Sequence, residues 1–392
     1  MILIIISVVV LCLVFVLLSR PRRRDGLVPE GGSRIKNALA IAMVKSGGRN
    51  KPEWQSAAPA DARVPVPEGV GVKDYNDSFV FQGADADGNV FLTRLGFRDG
   101  GENVEIWFWG AFGGRRFVND DQFITGLGDA DQTTVSAPHL SYERIGEGEW
   151  RIRFDGTLDG KAAKADLTWK ADAPMYCSAD HMDAKSMALA MAEMPWSREY
   201  FDRIGSEKQV RIEQGGSLTG SIDAGGEAIP VKMIGVRDHS WGKRDWQFLN
   251  RYIWTVLAMD EPVEIAGIKV RYLAIYAVDY GDSFKRLSSG WIAGDGGVLP
   301  VTHTVDLMDV GNDGVIPEKF NLDFRVPGSG KCVMEVDRRQ PEVPWMLAGG
   351  RFEVNEAYCS VVLNGTRGYG CAEFGYAGGR GYGRPFETEE GV

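Results

Sequence analysis

Gly235-Val236-Arg237-Asp238-His239-Ser240-Trp241-Gly242-Lys243-Arg244-Asp245-Trp246 is the stretch on which the fold and the function of this chain turn. Its residues include two aspartates, two tryptophans, three cations and one of the four histidines in the sequence. An extended backbone through its first half sends Arg237, His239 and Trp241 to one side and Asp238 and Ser240 to the other. An acid, an imidazole and large aromatics are costly to bury together, so the segment is either a chemical site or a structural bolt.

The same alternation runs outward from this block. Trp150, Ile152 and Phe154 alternate with Arg151, Arg153 and Asp155, and Phe320, Leu322, Phe324 and Val326 alternate with Asn321, Asp323 and Arg325, as strands with one wet face do. Phe79 to Phe81 and Val90 to Phe97 flank Asp87-Gly88, a hairpin signal. Val104 to Trp109 is bulky on both faces and should be covered twice. Ile268 to Tyr276 should place Val270, Tyr272, Ala274 and Tyr276 on one face and Leu273 and Ile275 on the other. With 50 glycines and turn signals about every ten residues, the expected class is all-β, built of sandwiches or barrels. One helical insertion is expected at Asp183 to Met194, where Met187, Met191 and Met194 form a stripe that Pro195 closes. A composition break near Gly205 divides the body into about 62–205 and 206–392.

Residues Ile2 to Leu18 are uncharged and almost wholly aliphatic, close to the minimum for a membrane-spanning helix. Arg20, Arg22, Arg23 and Arg24 follow, so the expected arrangement is an N-terminal anchor over 1–19, a basic arm and linker over 20–61, and a cytosolic body on the endoplasmic reticulum. A cleaved signal peptide is the rival, although a basic leader and a small-x-small site are absent. Within the arm, Ile35, Leu39 and Met43 recur at helical spacing, as either a membrane-lying or a packed linker helix. Residues 1–51 carry a balance of +7 and the rest of the chain −17, which suits an anionic lipid surface for the arm and argues against nucleic acid for the body. Five scattered cysteines form no CxxC pair, and His139, His181 and His303 have no ligand spacing, so no metal centre is expected.

The block Gln214-Gly215-Gly216-Ser217-Leu218-Thr219-Gly220-Ser221-Ile222, the Asp-His-Ser-Trp-Gly segment and the late run Asn364 to Tyr376 together resemble the tandem lipocalin-like proteins. That group comprises carotenoid 1,2-hydratases, lipocalin-type terpene and Diels–Alder cyclases, and survival-factor-like lipid-binding proteins. The resemblance implies two lipocalin-like β-barrel or sandwich domains, an apolar cavity and chemistry without cofactor. It also implies an isoprenoid or other hydrophobic ligand. Transferred residue by residue, it makes Asp238 and His239 the catalytic candidates, with Trp241, Arg244, Trp246, Tyr252 and Trp254 around the substrate. Acid-initiated hydration, isomerisation or cyclisation needs a carboxyl that stays protonated: burial of Asp238 favours that state, and pairing with Arg237 or Arg244 opposes it. A non-catalytic lipid carrier and a filled scaffold are the alternatives.

Overall fold

The computed structural model describes residues 2–19, 27, 31–47, 55–57, 61–125, 129–130, 133–206, 209–244, 246, 248–339, 343–347 and 351–378. The cations Arg20 and Arg22–Arg24 and the acid Asp245 lie outside the described residues. Within them the body is built of two large antiparallel sheets.

The principal strands of the first sheet are β1 (Tyr75–Ala84), β2 (Val90–Arg98), β3 (Asn103–Phe112), β4 (Leu140–Gly146), β5 (Glu149–Leu158), β6 (Lys161–Ala171), β7 (Gln209–Ala224) and β8 (Ala228–Lys243). They lie in the order β3-β2-β1-β8-β7-β6-β5-β4, with short strands at both edges. The second sheet has β9 (Arg251–Ile265), β10 (Ile268–Tyr280), β11 (Phe284–Asp295), β12 (Phe352–Leu363) and β13 (Thr366–Ala377), in the order β11-β10-β9-β13-β12. The expected β1–β2 hairpin forms, its turn held by Asp85 Oδ1 accepting from the backbone N–H groups of Asp87 and Asn89.

Three sequence expectations change. First, β7 and β8 follow Gly205 yet are hydrogen-bonded into the first sheet, β8 against β1, so the boundary between sheets lies at 244–250 rather than at 205. Second, no barrel closes among the described residues. The first sheet curls until Asn119 bridges Leu158, but its edge strands, Arg115–Val118 and Asp129–Ala130, are too short to zip. Third, the apolar leader is a helix, α1 (Ile2–Leu18), of 17 residues. At 1.5 Å per residue it is about 26 Å long, against about 30 Å of bilayer hydrocarbon. No helix among the described residues is long and apolar enough to cross a membrane.

A second helix, α2 (Arg34–Gly47), lies on α3 (Ala184–Glu193) through Ala40, Ala188 and Ala192, while Ile35, Leu39 and Met43 point to solvent. The Met stripe belongs to α3, capped by Asp183 accepting from Ser186 N–H; Met191 is buried and Met187 half-buried.

Each sheet buries one face in its own core. Trp150, Ile152, Phe154, Val104, Ile106 and Phe108 fill the first, and Leu257, Leu273, Ile275 and Phe374 the second. The opposite faces meet in a seam. Trp107 and Trp109 enter it from β3, so that strand is covered twice as expected. Trp107 stacks on Trp345 of the other sheet at 4.8 Å and 7°. Close approach elsewhere in the seam requires Gly215, on which the Tyr272 ring sits; a Cβ there would stand 2.2 Å from ring carbons.

The β10 alternation is broken. Tyr272 and Ala274 face the seam, whereas Val270 joins Leu273 and Ile275 in the core. The register shifts between Val270 and Tyr272, which leaves Arg271 as an extra residue in a β-bulge, and a bulge reverses face parity.

Gly215→Ala should overpack the seam and destabilise the protein by about 1–3 kcal/mol. The check is a lowered urea midpoint at unchanged m-value; an unmoved midpoint would mean that the ring retreats freely.

Candidate functional site

A polar row crosses the seam face of the first sheet. Strand register sets Glu213 beside Asp238, Asp238 beside Val80, Val80 beside Arg94 and Arg94 beside Trp107. A second row faces it, with Tyr276 beside Trp254, Trp254 beside Glu373 and Glu373 beside Glu356. Between the rows is a cavity of about 30 Å³, bounded by Asp238, Arg94, Trp107, Arg211, Arg244, Trp246, Tyr252, Trp254, Glu356 and Glu373, among others. That volume holds about one water molecule. It is far below the hundreds of cubic ångströms that a lipid pocket needs.

Asp238 is buried, and Arg211 Nε stands 3.0 Å from its Oδ1, an ion-pair distance without the alignment of a hydrogen bond. Burial pushes the Asp238 carboxyl above its usual range, outweighing Arg211 and Arg244. Its strand neighbour Glu213 is fully buried and accepts from both Trp254 Nε1, at 2.7 Å, and Trp291 Nε1. Burial raises Glu213 to about 7, with Arg211 opposing and Asp238 adding to the rise. On the facing wall Glu356 is raised well above the carboxylate range by burial and by Glu373, and Cys371 Sγ donates to its Oε2 at 3.0 Å. Three carboxyl groups on two walls are thus biased toward their protonated forms.

The cations are spread around them. The Arg94 guanidinium lies 4.3 Å from the Trp107 ring centre and donates to Ser78 Oγ and Glu105 Oε2. Arg211 covers the Trp254 ring at 4.8 Å. Arg244 lies 5.4 Å from the Trp246 ring centre, and burial followed by the repulsion of Arg98 lowers it to about 10.

Of the residues singled out in the sequence, Asp238, Arg244, Trp246, Tyr252 and Trp254 all line this cavity. His239 and Trp241 do not. Strand alternation turns them to the opposite face of β8, where His239 stacks on Phe79 at 3.8 Å and meets Asp77 Oδ1 at 2.7 Å. Asp77 Oδ2 in turn accepts from Arg63 and the Val64 N–H, so His239 fastens the segment before β1 to the sheet. Trp241 is fully buried there among Val64, Cys177, Val210 and Ile212. Arg237, also on that face, pairs with Asp61 at 3.0 Å. The Asp238–Arg237 pairing considered from sequence is thereby replaced by Asp238–Arg211.

Sequence reasoning missed Glu213, Glu356, Glu373, Arg94 and Arg211. The available signal was an acid set in the seam-facing parity of a long strand, as Glu356 is in Val354-Asn355-Glu356-Ala357. Among the described residues, no group of His, Cys, Asp and Glu could hold a metal ion.

A family profile for a domain of unknown function, DUF7064, matches residues 65–376, and the chain belongs to that family. The match does not name the narrower kinship with carotenoid hydratases and terpene cyclases. No curated protein matches. Among solved structures, kievitone hydratase from Nectria haematococca is similar at 12% identity, covering 81% of this chain and 94% of that one, with a TM-score of 0.49. A Nitrosomonas europaea protein provisionally assigned as AttH is similar at 11% identity, covering 81% and 97%, with a TM-score of 0.48. At such identities no residue role passes from either to this chain.

Glu213 sets a sign for stability against pH. A carboxyl raised on folding holds a proton that the unfolded chain releases between about 4.5 and 7, so its contribution declines as pH rises through that window. Glu213→Gln should lower stability by about 1–3 kcal/mol, because one indole N–H loses its acceptor. It should also flatten the fall in urea midpoint between pH 5 and 8; an unchanged slope would refute the raised carboxyl.

Proposed function

We propose that the seam cavity is an acid–base site acting on an unsaturated apolar small molecule, an isoprenoid or another lipid. The observation that carries this reading is a buried Asp238, its carboxyl raised by burial, facing aromatic rings and a second carboxyl pair across a cavity of water size. The reaction class is hydration, isomerisation or cyclisation begun by proton transfer to a carbon–carbon double bond.

In the hydration case, Asp238 gives its proton to one alkene carbon. Positive charge grows on the other carbon, facing the rings of Trp254, Trp246 and Tyr252, whose π faces stabilise cations. A water molecule adds there, and its surplus proton passes to Glu373. Proton exchange with solvent then restores Asp238. Each carboxyl acts as general acid or base, a role worth about 10²–10⁴ in rate. A substrate larger than water requires the seam to part, and Arg244 and Trp246 are half-buried members of the wall.

The small volume also favours a second reading, in which the facing rows bolt the sheets together in a lipid carrier or scaffold. Asp238→Asn separates the two. With unsaturated lipids in heavy water, the wild type should form products carrying carbon-bound deuterium, and the variant should lose about 100-fold or more of that rate while keeping its melting temperature. Turnover surviving in Asp238→Asn would remove Asp238 as the acid. A variant that fails to fold would favour the bolt.

We also propose that the chain associates with lipid through α1, whose side chains from Ile5 to Leu18 are exposed and aliphatic apart from Ser7, Cys12 and Phe15. A contiguous apolar surface of this kind marks a membrane or protein contact. The full chain should float with vesicles containing anionic lipid, and a chain beginning at Ser33 should remain at the bottom of the gradient. Equal flotation of both would dismiss α1 as the attachment.

A further inference from the structure

Farther along the seam face of β7 and β8, the acidic row gives way to a differently charged cleft. Counting from Glu213, Ser217 and Thr219 follow on the same face of β7, about 13 and 20 Å away at strand rise. Their register partners on β8 are Ile234 and Lys232. Across from them stand Arg271 of β10 and Tyr369 of β13, and together these residues line a cleft of about 400 Å³. We propose that this cleft is an anion-binding site for a phosphate or carboxylate group, held by Arg271 and Lys232 with the hydroxyls of Ser217 and Thr219.

Arg271 occupies its place because of the backbone. It is the extra residue of the bulge between Val270 and Tyr272, and both neighbouring strands skip it in register: Ala258 and Val263 pair with Tyr272 and Val270 on one side, and Ala293 and Gly294 on the other. Bulges re-aim side chains next to binding sites. Its buried Nε has no hydrogen-bond partner among the described residues. A buried guanidinium N–H without an acceptor is unfavourable, and an anionic oxygen is its natural complement.

The charges agree. Among the described residues no carboxylate lies within ion-pair distance of Arg271 or Lys232, in a body whose balance after residue 51 is −17. The one acid of the cleft, Asp172, already accepts from the Tyr272 hydroxyl at 3.0 Å. Two cations on paired strands, together with two hydroxyls, match the donor set of a phosphate. The site shares no lining residue with the carboxyl cavity and stands whether or not Asp238 transfers a proton.

The test is calorimetric titration of the full chain at low salt with inorganic phosphate, hexyl phosphate and hexanol. Hexyl phosphate should bind, and Arg271→Gln and Lys232→Gln should each weaken it by about tenfold or more, with Asp238→Asn binding as the wild type does. Arg271→Lys, which keeps the charge and loses the fork, should fall between and serves should the glutamine variant fail to fold. Equal affinity for the two phosphates would identify a free anion, and tighter hexyl phosphate a lipid headgroup; both support the site. Unchanged binding in the Arg271 and Lys232 variants, or hexanol bound as tightly as hexyl phosphate, would overturn it.

Discussion

Glu213 and Asp238 are neighbours across a strand pair, both buried, in a seam that admits about one water molecule. Ionising both carboxyl groups in dry surroundings is costly, so protons, indole N–H groups or guanidinium must compensate them. The surrounding architecture supplies all three. Trp254 and Trp291 reach Glu213 from the opposite sheet, and Arg211 lies against Asp238. The two sheets are thus held in register by hydrogen bonds whose acceptor is on one and whose donors are on the other. Sheet packing and carboxyl protonation are therefore one constraint.

The seam also explains why β7 and β8 are the longest strands among the described residues. Their 16 residues each must complete the first sheet and carry the acidic row, the Gly215 contact and the Lys232–Ser217 cleft in succession. Gly215 allows the Tyr272 ring to occupy the middle of this path, between the carboxyl cavity and the Lys232 cleft. The carboxyl row and the Lys232–Arg271 cleft stay distinct on one strand pair because an aromatic plug stands between them. Without it, Lys232 and Arg271 would face the carboxyl row through solvent and would draw Asp238 and Glu213 toward ionisation.

Much of this was legible in the sequence where period-two patterning holds. Alternation alone placed Asp238 and Ser240 on one face of β8 and Arg237, His239 and Trp241 on the other, which is the arrangement found. The same alternation shows why His239 cannot serve at the cavity with Asp238, an implication that the family resemblance overrode. The second wall was illegible for a different reason. Glu356 and Glu373 reach the cavity only through the pairing of β12 with β13 and of β13 with β9, contacts that span more than 100 residues in the last case. A single sequence carries no record of which strands pair. The boundary after Lys243 was missed likewise, since β8 pairs with β1 across more than 150 residues.

Where period two fails, it fails at one residue. Reading Val270, Tyr272 and Ala274 as one face assumes an unbroken pleat, and nothing in Ile268-Lys269-Val270-Arg271-Tyr272 signals otherwise, because Arg is at home on a wet face. The bulge lets both constraints be met: Val270 enters the second core, and Tyr272 enters the seam one step later. Gly294 on the neighbouring strand permits it, since a Cβ there would lie 1.9 Å from the Lys269 carbonyl oxygen. A regular β10 could satisfy the core or the seam but not both. The departure from the pattern is thus what joins the two halves of the fold, and Arg271 is the residue it leaves over.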